Sequence, residues 1–384
     1  MLKFRHIFSF VVLLLQGVLT IRVVARLLAT RHGVRVERHA GAGATGEVTV
    51  LAPVLNERHR LEPCLLGLVA QGPIVREVLV IDGGSTDGTQ DLVREYMERD
   101  TRIRLLDASP VPDEINAKAY GLARGLDEAD PASPWILTID ADVRADPYLA
   151  SSIVAHAEAN AQAVTSLATR QTLGSMAEGL VHPSMLATLV YRFGIPGHAT
   201  TSPRQVQANG QCMLLRRDVL DRIGGITGVL HSVCEDVTLA RNAAASGYSV
   251  GFHESRDLAS VAMYDGALDA WRNWSRSLPM RDQHQPGMSA IGWAEVTLVQ
   301  ALPLWIVMWC VARGRAGDRL ARLNGGLVCM RFGILLGMAR AYVQPPPTYW
   351  ASPLLDVPVA ARLWQMALRR THTWRGRSFR SGGS

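Results

Sequence analysis

The sequence predicts an α/β catalytic domain held between apolar, membrane-spanning segments. Two observations carry this expectation. Short β-branched runs alternate with helix-length amphipathic stretches across the middle of the chain, and long uncharged stretches bracket that region at both ends. The 384 residues and 48% hydrophobic content leave room for one large α/β domain plus extra elements. Five scattered cysteines, Cys64, Cys212, Cys234, Cys310 and Cys329, have no CxxC or Cys/His spacing, which argues against a zinc site or a disulfide framework.

The elements follow in chain order. Residues 7–21 (IFSFVVLLLQGVLTI) carry no charge and precede Arg22, Arg26, Arg31, Arg35 and Arg38. The stretch is short against the roughly 20 residues a span needs, but it lengthens if Arg5 and Arg22 snorkel. The arginines after it, and the lack of an A-x-A-like cleavage site, favour a signal anchor over a cleaved signal peptide. The basic side of an anchor faces the cytosol. The expected organisation is therefore an N-terminal membrane anchor at 1–28, a catalytic domain at 46–285, a C-terminal membrane region of two or three helices at 288–368, and a basic cytosolic tail at 369–384. Within the C-terminal region, 296–312 is the strongest span. Arg331 and Arg340 interrupt 325–343, while Asp356 and Arg362 weaken 349–368, which reads equally well as an interfacial helix.

In the middle, 47–52, 77–81, 103–106 and 135–139 read as strands, and 58–71, 88–99 and 116–126 as helices. That alternation implies a mostly parallel sheet covered on both faces. Ligands bind such sheets beyond the carboxyl ends of the strands. The chemistry-bearing residues sit there: Pro53-Val54-Leu55-Asn56-Glu57 after the first strand, Asp82-Gly83-Gly84 after the second, and Asp140-Ala141-Asp142 after the fourth.

PVLNE, VIDGGSTDGT, TIDAD and the later Cys234-Glu235-Asp236, in that order and spacing, resemble the family-2 glycosyltransferases of the GT-A fold. The resemblance implies a nucleotide-sugar-binding, Rossmann-like domain. Pro53, Asn56, Glu57, Asp82, Asp140, Gly210 and Arg276 are then expected to contact the nucleotide-sugar, and Asp140 and Asp142 to hold Mg2+ or Mn2+. Asp236 is the expected base, with Glu235 and Trp274 on the acceptor side. Asp87 and Gly88 are explained by a strand-to-helix turn alone, and Asp146 by a helix cap ahead of Pro147. Gly83 stands where relatives often have a second Asp. Trp271-Arg272-Asn273-Trp274-Ser275-Arg276 only loosely resembles the Q/R-x-x-R-W motif of processive synthases. Asn116 and Lys118 face the nucleotide or form a solvated helix face.

The function implied is a multi-pass enzyme of the cell (inner) membrane with a cytosolic catalytic domain. It would take a sugar from a nucleotide-sugar, first of all a UDP-sugar, and pass it to a lipid-like acceptor such as a carotenoid, sterol or hopanoid, or glycolipid. A polysaccharide synthase of the same fold is the alternative; a nucleotidyltransferase or a non-catalytic membrane scaffold fits less well. The net charge of +6 does not point to nucleic acid, because the basic residues flank apolar segments and form no patch interleaved with aromatics.

Overall fold

The computed structural model describes residues 2–40, 45–113, 115–279, 290–368, 371–374 and 377–380, with the side chains of 2–9, of 276 and beyond 368 outside the description. The chain runs α1 (Leu2–Thr30), β1 (Val48–Val54), α2 (Leu61–Val69), β2 (Val75–Asp82), α3 (Thr89–Met97), β3 (Ile103–Asp107), α4 (Ala117–Glu128), β4 (Trp135–Ile139) and β5 (Val143–Ala145). It continues through α5 (Leu149–Ala159), β6 (Val164–Ala168), β7 (Arg170–Gln171), α6 (Met176–Phe193), β8 (His198–Thr200), β9 (Cys212–Arg216), α7 (Arg217–Arg222), α8 (Glu235–Ala245), β10 (Val250–Glu254), β11 (Ala259–Val261) and α9 (Ala267–Ser277).

One sheet of eight strands, ordered β3-β2-β1-β4-β9-β6-β10-β8, forms the centre, and β5-β11-β7 make a small second sheet. Alternation along the strands feeds two cores. Val48, Val50, Ala52 and Val54 of β1 pack with α2, α3 and α5, while Leu51 joins Leu79 and Ile81 against α4, α7 and α8. The sheet is mixed, where the sequence pattern predicts a mostly parallel one. β1 to β4 pair in parallel, but β9 runs antiparallel to both β4 and β6. After β6 the chain crosses through α6 and β8 and re-enters the sheet from the carboxyl edge, so β9 has to run backwards. The register sets Cys212 opposite Ile139, and the amide of Asp140 donates to the Gln211 carbonyl at 3.0 Å. The entry of β9 thus lies at the same edge as the exits of β1, β2, β4 and β6.

Among the described residues, three helical stretches are long and apolar enough to cross a membrane by length and composition: Phe10–Thr30 in α1, Ala290–Ala312, and Arg319–Ala341. The second comprises α10 (Ala290–Ala294), a π-helical segment Glu295–Ala301 and α11 (Leu302–Ala312). Pro303 has no N–H to give to the turn before it, and the Leu302 amide reaches back to the Thr297 carbonyl, the wider spacing of a π turn. The third is α12 (Arg319–Met338) with a 3-10 turn, Ala339–Ala341. The weak segment at 349–368 divides into a 3-10 stretch, Pro347–Leu355, and α13 (Asp356–Leu368). Of the basic tail only a short hairpin is described, β12 (Thr371–Trp374) against β13 (Arg377–Arg380).

Polar side chains lock this helical layer together. Gln16 and Asn324 exchange amide hydrogen bonds at 2.9 and 3.0 Å. Arg22 and Arg26, both within α1, pair with the buried Glu295 at 3.2 and 3.1 Å. Arg331 forms a fork with Asp356 at 2.7 and 3.0 Å, and Ser184 and Gln300 also donate to that carboxylate. Arg331 and Asp356 are 3% and 2% exposed, so neither charge has water to fall back on. Removing one partner of such a pair costs about 3–5 kcal/mol. Asp356→Ala is therefore expected to lower the unfolding midpoint of the detergent-solubilised protein sharply, with Arg331→Met/Asp356→Leu recovering much of the loss. An unchanged midpoint in the single variant would show that the pair carries no weight.

Candidate active site

Because β1, β2 and β4 are parallel neighbours, their exits deliver three loops to one edge of the sheet. Loop β1–α2 is tied to the turn after β2. The Asn56 amide donates to Ser85 Oγ at 2.8 Å, and Asn56 Oδ1 accepts from the Thr86 amide at 2.9 Å. Asn56 itself sits at φ 55°, a left-handed conformation that Asn tolerates better than most residues. Asp87 completes the tie, accepting from the amides of Arg58 and Thr89 at 3.0 Å each. Asp82, 1% exposed, stitches its own turn: Oδ2 accepts from the amides of Gly84 and Ser85 and from Gln90 Nε2, at 3.0, 2.9 and 2.7 Å. Its other oxygen, Oδ1, is buried without a partner. Glu57 is fastened to Arg60 at 3.0 Å. Asp146 Oδ1 accepts from the Tyr148 amide at 2.9 Å just before α5.

Two carboxylates pair with one ammonium, and a third lies close by. Lys118 Nζ lies 2.6 Å from Asp140 Oδ1 and 3.1 Å from Glu235 Oε1, and it reaches the Gly210 carbonyl at 3.5 Å. Burial works against the Lys118 charge, but Asp140, Glu235 and Asp236 together outweigh it and hold the ammonium above its ordinary range. Asn116 caps α4 by accepting from the amides of Lys118 and Ala119, and its Nδ2 donates to Glu235 Oε2 at 3.0 Å. Asp236, in the first turn of α8, accepts from the amides of Gly210 at 2.6 Å and Val237 at 2.8 Å. Burial and the adjacent Glu235 push the Asp236 carboxyl up to about 6, with Lys118 and the two amides pulling the other way.

Asp142 is where the residues fit a cation. Its Oδ1 is a buried acceptor with no donor. Burial, then the charge of Asp140, raises its proton affinity well above the carboxylate range. A hard divalent ion would relieve both penalties. Among the described residues no group of three or more His, Cys, Asp or Glu side chains forms a metal site. Further ligands would have to come from a substrate and water, as is usual for Mg2+ at phosphate-binding sites.

All of this opens into a cavity of about 1650 Å³. A drug-sized ligand occupies a site of about 300–1,000 Å³, so there is room here for two substrates. Pro53, Glu57, Asp140, Asp142, Gly210, Glu235, Asp236 and Trp274 of the sequence-derived set line it. Asn56 and Asp82 do not; they shape the turns behind its wall. The side chain of Arg276, on α9, lies outside the described residues. Lys118, for which the sequence leaves open a solvated helix face, emerges instead at the centre of the cluster. Gln211, Thr169 and His182 also line the cavity, and no motif marks Thr169 or His182.

Comparison with known proteins bears on the domain and its fold. Residues 49–224 match the family profile described as Glycosyl transferase family 2. A stretch of 93 residues, 24% of this chain, is 32% identical to the succinoglycan biosynthesis protein ExoA of Rhizobium meliloti (strain 1021), of which it spans 27%. The mannosyltransferase PcManGT from Pyrobaculum calidifontis, solved with GDP-Man and Mn2+, superposes with a TM-score of 0.53 at 20% identity, over 92% of this chain and 99% of that one. A weaker likeness links 67% of the chain to 81% of the glucosyl-3-phosphoglycerate synthase from Mycobacterium tuberculosis solved with Mn2+ and UDP, at 18% identity and a TM-score of 0.40. Residues 49–224 thus carry a glycosyltransferase family 2 domain, on a GT-A fold.

Gly210 is the tightest point of the site. A Cβ there would stand 2.9 Å from Lys118 Nζ and 3.1 Å from Asp236 Oδ2. Gly210→Ala is therefore expected to displace both groups, and a misplacement of that kind costs about 10²-fold in rate. The check is the turnover number beside the thermal midpoint; wild-type turnover would show that the cluster tolerates the shift.

Proposed function

We propose that this glycosyltransferase moves one sugar from a nucleotide-sugar, with a UDP-sugar as the first donor to try, to a hydroxyl of a lipid-like acceptor at the cytosolic face of the cell membrane. One observation carries the acceptor side of this reading. The cavity that holds the carboxylates continues between apolar side chains of α1, α6 and α12, among them Leu27, Leu186, Val190, Met330 and Ile334. Two of those three helices are candidate spans. A bilayer lipid could present its head to Asp236 while its apolar part stays between the spans. The likeness to ExoA favours an exopolysaccharide product instead, but it covers 27% of that protein.

In the proposed chemistry Asp236 removes the proton from the acceptor hydroxyl. The acceptor oxygen then bonds to the anomeric carbon as the bond from that carbon to the diphosphate breaks, and the nucleoside diphosphate leaves. The amides of Gly210 and Val237 fix the Asp236 carboxylate, and a carboxyl pushed up to about 6 is a stronger base than an exposed aspartate yet still ionised at neutral pH. Asp140 and Asp142 would hold Mg2+ or Mn2+, which when bound offsets charge on the departing diphosphate. Asp82 shapes the turn beside Gly83, and Gly83 lines the cavity where we place the ribose or base. The arginines after α1 and the basic tail support a cytosolic, multi-pass arrangement, though Arg22 and Arg26 are engaged by Glu295.

Two outcomes are expected. Membranes holding the protein, given a panel of labelled nucleotide-sugars, should place label in the lipid extract, and EDTA should abolish transfer until Mn2+ or Mg2+ is restored. Label confined to a water-soluble polymer would overturn the acceptor, and full turnover in chelator would overturn the metal. For the base, Asp236→Asn should lower kcat by about 10²–10⁴-fold with nucleotide affinity retained, whereas Asp140→Asn should weaken metal and donor binding together. In the wild type kcat should fall as pH drops below about 6, where Asp236 takes up its proton. Calorimetry beside transfer rates separates the two variants, and near-wild-type turnover in Asp236→Asn would return Glu235-Asp236 to a helix-terminal role.

A further inference from the structure

Among the buried polar atoms without a partner on residues that line the cavity are Nε2 of His182, on α6, and Nε2 of Gln211, at the entry to β9. Both side chains belong to residues only 2% exposed. Their other ends are fixed. His182 Nδ1 is 3.0 Å from the Tyr342 hydroxyl, and the imidazole stacks on Trp274 with ring centroids 4.3 Å apart. Gln211 Oε1 accepts from the Thr169 hydroxyl and, at 2.7 Å, from Asn209 Nδ2. The two are linked through one network, since Gln171 Nε2 donates to Thr169 Oγ1 at 3.2 Å and Gln171 forms a β-bridge with Tyr342. Gln211 follows Gly210, whose amide holds Asp236, so this polar strip adjoins the base.

A buried donor left unmade is costly, and proteins retain one where a ligand or water completes it. Two such atoms, pinned by second-side hydrogen bonds, need more than the single reacting hydroxyl of a simple lipid alcohol. Trp274, stacked on His182, adds apolar aromatic surface to the same wall. Burial lowers the His182 imidazole to about 3, so it stays neutral at working pH and does not repel or attract charge. The complement is a neutral, polyhydroxylated ring attached to an apolar tail.

We propose that His182 and Gln211 form a binding subsite for a sugar ring on the acceptor, so that the acceptor is a glycolipid and the enzyme extends an existing saccharide head. This rests on the lipid-acceptor reading above and narrows it. His182 and Gln211 act as positioning residues, presenting the acceptor hydroxyl to Asp236.

The test uses the full chain in phospholipid nanodiscs, with empty nanodiscs as the blank, and three probes titrated by calorimetry: octyl β-D-glucoside, octan-1-ol and methyl β-D-glucoside. Octyl glucoside is expected to bind most tightly. His182→Phe, which keeps a ring against Trp274, and Gln211→Met should each weaken octyl glucoside about ten-fold, the loss of one hydrogen bond to a buried group, and leave octan-1-ol unchanged. Thermal midpoints of both variants guard against a folding defect. Equal octyl glucoside affinity in wild type and both folded variants, or no binding of either glucoside, overturns the subsite. If methyl glucoside binds as tightly as octyl glucoside and is equally sensitive to the variants, the sugar subsite stands and the lipid tail is overturned instead.

Discussion

The site depends on one electrostatic constraint: Asp140, Asp142, Glu235 and Asp236 crowd the same sheet edge, and Lys118 is the ammonium placed among them. Four carboxylates drawn this close, Glu235 buried and the others half-buried, would otherwise repel one another. The constraint explains several local features. Asn116 must cap α4 so that Lys118 emerges in its first turn, and the same Asn116 amide holds Glu235 at the proper distance. Residue 210 must lack a Cβ, because Lys118 Nζ and Asp236 Oδ2 both crowd the position that it would take. One lysine does not balance four acids. The remaining deficit falls on Asp142, whose Oδ1 is buried without a donor and whose proton affinity is raised by burial and by Asp140.

Much of the domain is legible in the sequence because parallel strands announce themselves locally. The β1, β2 and β4 exits carry Glu57, Asp82 and Asp140, and each follows a β-branched run whose end the polar turn marks. Non-local geometry is not legible in this way. Nothing in Cys212–Arg216 distinguishes a strand that runs backwards; its direction follows from where the chain re-enters after α6 and β8. Asn56 and Asp82 are conspicuous as polar residues beside a glycine turn, yet most of their hydrogen-bonding capacity goes into holding that turn. Lys118 finds Asp140 and Glu235 across the fold, and His182 finds Tyr342 and Trp274, so neither has a signature in its own neighbourhood.

The apolar segments teach a related lesson. Taken singly, Arg331 weakens the segment at 325–343 as a span and Asp356 weakens the one at 349–368. In the fold these two charges are one buried, forked ion pair, further satisfied by Ser184 and Gln300. A hydropathy scan penalises each helix for a charge that the tertiary structure neutralises. Glu295 does the same for Arg22 and Arg26. The polar residues of the apolar layer are the contacts that fix its helices in register, since apolar side chains alone discriminate poorly between neighbours.

Helix α6 joins the two halves. Ser184 reaches the Asp356 carboxylate, and Ala187, Val190 and Tyr191 pack in the same cluster as Leu19 and Val23 of α1 and Leu327 of α12. Two residues before Ser184, His182 turns to the cavity and to Trp274 of α9. Any tilt of the candidate spans is therefore transmitted along a helix that carries a cavity wall. Pro183 stands between these duties, removing one backbone donor within α6. Met330 and Ile334 of α12, His182 of α6 and Asp236 of α8 line one and the same cavity. The candidate spans and the catalytic domain therefore share a wall, and α6 is the element that belongs to both.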